Sequence, residues 1–168
     1  MRYLVKAQQN DIEEIMGVIR DAQAMMAMQG SGQWQDGTPA RATILQDIEN
    51  EHFYLAKDDD TIIGVMALLD YDAEYQHLLT GAWHYGPRYK VIHRFAIKGT
   101  YRQQGVGACL LKEAEKMAKS QGVDTIRIDT HEKNIPMTKL LEKNGYQAVG
   151  TVILDKTKLR TVFEKFLG

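Results

Sequence analysis

The strongest constraint on how this chain folds is a glycine-containing turn between a predicted strand and a predicted helix. Apolar residues from Val91 to Ile97 form the strand pattern, and a helical pattern runs from about Gly105 to Gln121. Glycine lets backbone N–H groups turn toward one point, and the first N–H groups of a helix have no partner within it. The turn therefore predicts either a pyrophosphate cradle or a tight connection that uses glycine for geometry alone. Its residues are Arg102, Gln103, Gln104, Gly105, Val106, Gly107 and Ala108.

The spacing of these glycines does not match two common phosphate motifs. The dinucleotide-binding pattern requires a third glycine where this chain has Leu110. The triphosphate-binding loop ends in Gly-Lys-Ser/Thr, whereas Gly107 is followed by Ala108. The turn is therefore assigned to neither class of nucleotide-binding protein.

The remaining patterns describe one domain over residues 1–168. Strands and helices follow the order β α α β β β α β α β β, and a hairpin is predicted around Asp58–Asp60. Strand–helix–strand alternation in the second half predicts at least one parallel pair. We therefore expect an α/β fold with a mixed sheet and helices on both faces. The first helix is expected to start with a capping box of Asn10 and Glu13, and the second with Thr38 as N-cap and Pro39 at its first position.

Two segments resemble the GNAT superfamily of N-acetyltransferases. Ile92–Ile97 followed by Arg102–Gly107 is similar to the family's Arg/Gln-x-x-Gly-x-Gly/Ala motif after an apolar strand. Ile126–Ile128 looks like the family's fifth strand, and Asn134–Tyr146 is similar to its Asn-x-x-Ala-x-x-Leu-Tyr-Glu-Lys-x-Gly-Phe block. The resemblance implies a GNAT-like fold with a mixed sheet of about 6–7 strands and about four helices. It also implies direct transfer of an acetyl group from acetyl-CoA to a primary amine.

The same resemblance implies how acetyl-CoA is held. The pyrophosphate is expected on the backbone N–H groups of about Gln103–Ala108, and the pantetheine arm along the main chain of Phe95, Ala96 and Ile97. The thioester enters a gap between the fourth and fifth strands of the family sheet. Asn134 matches the family asparagine that contacts the CoA arm, and it also fits a helix N-cap ahead of Pro136.

His93 is the candidate catalytic base. An alkylammonium has a pKa near ~10.4 and must lose a proton before it attacks, and an imidazole with a pKa near ~6.5 suits that role. The strand period places His93 on the face of Val91, Phe95 and Ile97. The residue also matches a histidine on this strand in arylalkylamine acetyltransferases of the family. The alternatives are a core histidine satisfied by hydrogen bonds, or a water chain as base.

The general acid that would protonate the leaving thiolate is missing from its family position. Many members have a tyrosine where this chain has Leu141, which leaves Tyr85, Tyr89 or water. This departure favours an alternative function, a non-catalytic acyl-CoA-binding or sensing protein on the same fold. Cys109 is expected to be a small buried residue rather than a nucleophile, because no histidine accompanies it.

The resemblance also implies that the amine acceptor binds against the first helices and the loop before the strand of His93. Aromatic and carboxylate side chains there suit a small-molecule amine or a peptide amine, although a packed surface loop or a homodimer contact explains them equally well. The candidate residues are Trp34, Asp72, Tyr75, Trp83 and Tyr85.

Composition narrows the remaining classes. A net charge of −1 does not suit a nucleic-acid-binding protein. No apolar run approaches the ~18 residues that cross a membrane, no signal-peptide core is recognised, and the single cysteine fits a reducing compartment. We therefore expect a cytoplasmic protein without membrane or nucleic-acid partners. The histidines show no ligand spacing, so no metal is expected.

Overall fold

Four helices and eight strands form the domain in a computed structural model that describes all residues from Met1 to Gly168. The helices are α1 (Ile12–Met28), α2 (Arg41–Glu49), α3 (Val106–Ser120) and α4 (Ile135–Lys143). The strands are β1 (Arg2–Lys6), β2 (Phe53–Asp58), β3 (Thr61–Leu69), β4 (Thr80–Gly81), β5 (Lys90–Ile97), β6 (Thr125–Thr130), β7 (Gln147–Leu154) and β8 (Lys158–Phe166). The α/β fold class is confirmed.

All strands belong to one mixed sheet in the order β1-β2-β3-β5-β6-β8-β7-β4. β5 and β6 form its parallel pair, with α3 as the crossover between them, and the other neighbours are antiparallel. The expected parallel pair and antiparallel hairpin are therefore both present. No helix combines the length and the apolar character that crossing a membrane requires.

The sheet contains one strand more than the sequence predicts. The extra strand, β4, has only two residues, so it carries no alternating pattern and forms through its pairing with β7. Gly81 of β4 lies opposite Gly150, and a Cβ atom on Gly81 would come within 1.9 Å of the Val149 carbonyl oxygen. Glycine at this position lets the two backbones approach.

Apolar side chains cover both faces of the sheet, because neighbouring residues of a strand point in opposite directions. On one face Ile62 packs with residues of α1 and α2, such as Ile19 and Ile44. On the other face the adjacent Ile63 packs with Leu110 of α3 and Leu141 of α4. The sheet therefore lies between the two pairs of helices, and anything that crosses from one face to the other must pass between strands.

The starts of the first two helices differ from the sequence predictions. A one-turn 3-10 helix precedes α1, and its capping box joins Gln8 and Asp11 rather than Asn10 and Glu13. Ala40, not Thr38, is the N-cap of α2, because the buried Pro39 lies outside the helix. Asp36 accepts the hydrogen bond of the Thr38 hydroxyl at 2.6 Å, so that side chain stabilises the preceding loop instead.

Candidate functional site

The two parallel strands at the centre of the sheet separate partway along their length. β5 and β6 pair only through Lys90–Ile92 and Ile126–Ile128, and no ladder joins them beyond these residues. A β-bulge at Arg94, whose φ is +52°, accompanies the separation. The gap gives a ligand a route between the two faces of the sheet.

The bulge corrects the predicted face of His93. Ala67 and Val65 of β3 lie opposite His93 and Ala96, so β5 has one residue more than its partner over this interval. The extra residue reverses the alternation. Phe95 therefore packs with the α3 core on one face, whereas the His93 ring lies near Tyr75, 5.7 Å between ring centroids, on the other.

A partly buried ion pair joins the bulge to α2. The Arg94 Nε and Nη2 atoms donate hydrogen bonds to the Asp47 carboxylate at 2.5 and 2.9 Å. Two parallel bonds between a guanidinium and a carboxylate fix orientation as well as distance. The pair therefore stabilises the conformation that separates β5 from β6.

A cavity of about 500 Å³ occupies this gap. Its lining includes Asp72 and His93 from one face of the sheet and Phe95 and Met137 from the other. Trp34 and Asn134, two further candidates from the sequence, also line it. The volume suits a small ligand rather than a folded partner.

His93 lies between two carboxylates. Its Nε2 atom is 2.6 Å from Asp72 Oδ2, and its Nδ1 atom is 3.7 Å from Asp129 Oδ2. The first distance is a hydrogen bond and the second is beyond hydrogen-bond range. An ionised carboxylate only accepts, so the hydrogen of a neutral imidazole lies on Nε2 and the lone pair on Nδ1.

The surroundings of Asp72 keep its carboxylate ionised. Burial by itself raises the pKa of Asp72, but the hydrogen bond and charge of His93 and the N–H groups of Glu74 and Tyr75 outweigh it. The net result is a pKa below the ordinary value. Asp72 can therefore orient the imidazole and stabilise its protonated form.

Tyr75, predicted to contact the acceptor, is a buried support instead. Its side chain is fully buried, and its hydroxyl donates to Asp129 Oδ2 at 2.5 Å. Burial first, and then the charge of Asp129, raise the pKa of Tyr75 well above its ordinary value. The hydroxyl therefore keeps its proton and fixes the Asp129 oxygen that faces His93.

Trp83 and Tyr85 also lie outside the cavity, contrary to their predicted role. Trp83 donates its indole N–H to the Tyr75 carbonyl at 2.8 Å and lies against the Arg127 guanidinium. Tyr85 stacks on Phe166 with 4.8 Å between ring centroids. Both aromatic rings therefore pack against other parts of the protein. The residue type of an aromatic side chain does not show whether it packs in this way or contacts a ligand.

The glycine turn leaves a run of backbone donors without partners. The six N–H groups from Gln103 to Ala108 have no hydrogen-bond acceptor within the protein, and the first amide of α3 that finds one is Cys109. Gln103 and Gly105 have positive φ values of 61° and 80°, which bend the chain into the helix. Consecutive free donors at a helix N-terminus are the arrangement that binds a phosphate.

Two members of the predicted turn have other contacts. The Arg102 N–H bonds to Gly99 and its guanidinium donates to the Asp21 carbonyl at 2.9 Å, so Arg102 is not part of the run of free donors. A Cβ atom on Gly107 would lie 2.7 Å from Leu140 Cδ2 of α4. Gly107 therefore also permits the close approach of α3 and α4.

Asn134 joins the start of α4 to the loop after α1. Its side chain accepts the Met137 N–H at 3.3 Å as a helix cap and donates to Gln33 Oε1 at 3.3 Å. The same Gln33 oxygen accepts from the His131 N–H at 3.2 Å. Gln33 therefore connects the loop of Trp34, through these hydrogen bonds, to the segment of His131 and Asn134 beside the cavity.

Several lining residues were missed by sequence reasoning. Asp129 follows the buried core of β6, next to the strand of His93, and that position was a usable signal. Lys158 and Arg160 lie at the start of β8, where nothing local distinguishes them from surface residues. Their place in the cavity results from long-range strand pairing.

Cys109 lies outside the lining of the cavity. Cys109 is exposed rather than buried as predicted, because it lies beside the inward-facing Leu110 and Leu111 on the outer surface of α3. No group of three or more His, Cys, Asp or Glu side chains is arranged to hold a metal ion.

Comparison with known proteins gives consistent matches. The model of the Acetyltransferase (GNAT) family matches residues 16–146. The uncharacterized N-acetyltransferase YesJ of Bacillus subtilis (strain 168) is 26% identical over 151 residues, which are 88% of this chain and 83% of that protein.

Solved structures show the same likeness over the whole length. A GNAT-family acetyltransferase from Streptococcus agalactiae 2603 is 32% identical with a TM-score of 0.88, covering 98% of this chain and 95% of that one. The PaiA N-acetyltransferase from Thermoplasma acidophilum, solved in complex with coenzyme A, is 21% identical with a TM-score of 0.74 and covers 99% of each chain.

Proposed function

This chain belongs to the GNAT family of acetyltransferases, and we propose that it transfers the acetyl group of acetyl-CoA directly to a primary amine. The observation that carries the proposal is the cavity in the gap between β5 and β6, with His93 on its wall. The family and the fold support acyl transfer, and the cavity has the size of a small-molecule site.

The residues present fit acetyl-CoA on two observations. The six free N–H groups of Gln103–Ala108 supply donors for its pyrophosphate. Beyond Ile92, the edge of β5 is released from β6, so the main chain of Phe95, Ala96 and Ile97 is available to its pantetheine arm. Asn134 borders the same cavity. When bound there, acetyl-CoA supplies a thioester-activated acetyl carbon, to which the amine nitrogen bonds as the carbon–sulfur bond breaks.

His93 accepts the proton that the ammonium must lose. Its Nδ1 atom holds the lone pair, since Nε2 donates to Asp72. The Asp129 carboxylate, 3.7 Å away, stabilises the imidazolium that forms and attracts the ammonium before proton transfer. The second proton of the amine leaves with the thiolate, which becomes coenzyme A thiol.

No buried tyrosine is placed to protonate the leaving thiolate. Leu141, at the family tyrosine position, is fully buried among the apolar residues of the α3–α4 face. Tyr89 lies beneath the Arg127 guanidinium, and neither it nor Tyr85 lines the cavity. Tyr71 is the one tyrosine in the lining. Tyr71 or water therefore relays the second proton of the amine to the thiolate: it gives up one proton to the sulfur and takes up the amine proton in its place.

The decisive experiment combines binding with turnover. Calorimetry with acetyl-CoA and release of free thiol in the presence of primary amines should both be positive. Binding without thiol release from any amine would support the alternative, a non-catalytic acyl-CoA sensor. Absence of acetyl-CoA binding would refute both functions.

A further inference from the structure

We propose that the amine acceptor also carries a carboxylate, and that the guanidinium of Arg160 binds it in the same cavity in which His93 receives the amine. The acceptor is thus a small amino-acid-like compound rather than a simple cationic amine. This inference rests on the proposed acetyltransferase function and names the substrate class of its site.

Arg160 is a buried cation that lacks a direct carboxylate partner. The residue is 7% exposed and lines the cavity. The one hydrogen bond of its guanidinium within the protein runs from Nη1 to the Leu159 carbonyl at 2.9 Å. A guanidinium has five N–H donors, so most of its hydrogen-bonding capacity is unused.

The other cations in the lining are all paired. Arg94 bonds to Asp47, His93 to Asp72, and Lys158 lies 2.7 Å from Asp36 and 3.3 Å from Asp155. Arg160 alone among them has no carboxylate oxygen within 4.0 Å. No nitrogen of Arg160 is both fully enclosed and without a partner, so its free donors are open to the cavity and available to a ligand of opposite charge.

The carboxylate of Asp129 lies near both Arg160 and His93. Burial lowers the pKa of the Arg160 guanidinium, and the more distant carboxylates of Asp129 and Asp36 oppose that effect. Asp129 is also the carboxylate beside His93 Nδ1. Asp129 lies opposite Val162 in the register of β6 and β8, and Arg160, two residues before Val162, lies on the same face of the sheet. Because His93, Asp129 and Arg160 line one cavity, a compact ligand can reach the imidazole with its amine and the guanidinium with its carboxylate.

The chemistry of arginine favours a carboxylate over other acceptors of hydrogen bonds. Its planar fork binds the two oxygens of a carboxylate through parallel bonds, and such charge-assisted bonds are stronger than neutral ones. The cavity volume of about 500 Å³ accommodates an amino acid with a medium-sized side chain.

The test uses matched acceptors that differ only in the carboxylate. Methionine, methionine amide and 3-(methylthio)propylamine are compared, together with other amino acids and their amides, by thiol release with acetyl-CoA. We expect kcat/KM for the carboxylated member of a productive pair to exceed that of its partner by about 10–100-fold, the range for hydrogen bonds to a charged group. Equal or better use of the uncharged partners would overturn the inference while leaving acetyl transfer intact.

Substitution of Arg160 separates its role from general stability. Arg160→Met should abolish the preference for the carboxylated acceptor, mainly through KM, while the dissociation constant for acetyl-CoA stays unchanged. Arg160→Lys should recover part of the preference. Arg127→Met removes another largely buried guanidinium, one outside the cavity, and should leave the preference intact. An unchanged preference in Arg160→Met would contradict the assignment.

Failure of the proposed acetyl transfer gives a different result from failure of the carboxylate site. In that case acetyl-CoA neither binds nor releases thiol with any amine. Calorimetry with the amino acids alone would then judge the anion site, because carboxylated ligands should still bind more tightly to the wild type than to Arg160→Met. Equal binding to the two proteins would refute the site itself.

Discussion

The Nε2 atom of His93 lies 2.6 Å from Asp72 Oδ2, so a residue of the central sheet is oriented by the loop that follows β3. The contact defines which imidazole nitrogen carries the hydrogen and leaves Nδ1 to accept a proton. The arrangement follows the general logic of a base oriented by a carboxylate.

Replacing His93 should remove the catalytic base. We expect His93→Ala to lower kcat/KM by about 10²–10⁴-fold, the usual contribution of general base catalysis, and to change how the rate depends on pH. Steady-state rates between pH 5 and 9 measure both effects. His93→Gln, which keeps the hydrogen bond but not the basicity, should be equally impaired, whereas a wild-type profile in either variant would assign the base to water.

Asp72 should stabilise the fold in a pH-dependent way. Its pKa is lower in the folded chain than in the unfolded chain, so the ionised carboxylate contributes stability above the unfolded value of ~3.9. That contribution is lost as pH falls through the lower folded pKa. The melting temperature of Asp72→Asn should therefore lie below that of the wild type at pH 7, and the difference should shrink as pH falls toward 3.

The control for that measurement is Asp60→Asn, which changes an exposed carboxylate. Its melting temperature should follow the wild type at every pH. A difference between wild type and Asp72→Asn that stays constant from pH 7 to pH 3 would show that the asparagine acts through packing and not through charge.

A negative charge at the start of α3 should weaken acetyl-CoA binding. Ala108→Glu places a carboxylate beside the free N–H groups, where it competes with the pyrophosphate and repels it. We expect at least about a 10-fold rise in the dissociation constant measured by calorimetry, which corresponds to ~1.4 kcal/mol. Ser120→Glu adds the same charge at the exposed end of the same helix and should leave binding unchanged. If both variants raised the dissociation constant equally, the overall charge of the protein, and not the turn, would explain the weaker acetyl-CoA binding.

Gly64 should be required for the position of the glycine turn. A Cβ atom there would lie 2.9 Å from Val106 Cγ1 and 3.0 Å from Leu110 Cδ1, so alanine would push the first turns of α3 away from β3. Overpacking of this kind costs roughly 1–3 kcal/mol, and denaturant unfolding of Gly64→Ala should show a loss in that range. Acetyl-CoA binding should weaken too.

Gly32→Ala is the matched control, because no atom lies within 4 Å of its added Cβ atom. Its unfolding free energy should stay within about 0.5 kcal/mol of the wild type, as for most surface substitutions. If Gly64→Ala were as stable as Gly32→Ala and bound acetyl-CoA normally, close packing of α3 on β3 would not govern the turn.

Local patterns predicted most of the fold. β6 occupies Thr125–Thr130 as its pattern indicates, and α3 begins at Val106, immediately after the glycine that bends the chain. Such elements depend on neighbours in sequence, through side-chain periodicity and backbone freedom at glycine. The family motifs likewise lie within single strand–turn–helix units, so the turn is recognisable from the sequence alone.

Local sequence patterns predict only part of the candidate site. His93 and Asp72 were named, but the bulge at Arg94 that reverses the face of β5 arises from its pairing with β3. Tyr75 and Trp83 had the composition of a ligand-binding loop and proved to be packing residues around the cavity. Aromatic side chains fill cores and bind ligands through the same apolar surface, so sequence cannot separate the two uses.

The sequence by itself determined the order of helices and strands, the glycine turn and the family, because each of these depends on residues close together along the chain. Only the tertiary structure decided which charges share the cavity. Asp72, Asp129 and Arg160 come from three distant segments, and the register of β6 and β8 with the separation of β5 from β6 brings them together. Register depends on packing between strands that are remote in sequence, and no local pattern encodes which side chains it places opposite one another.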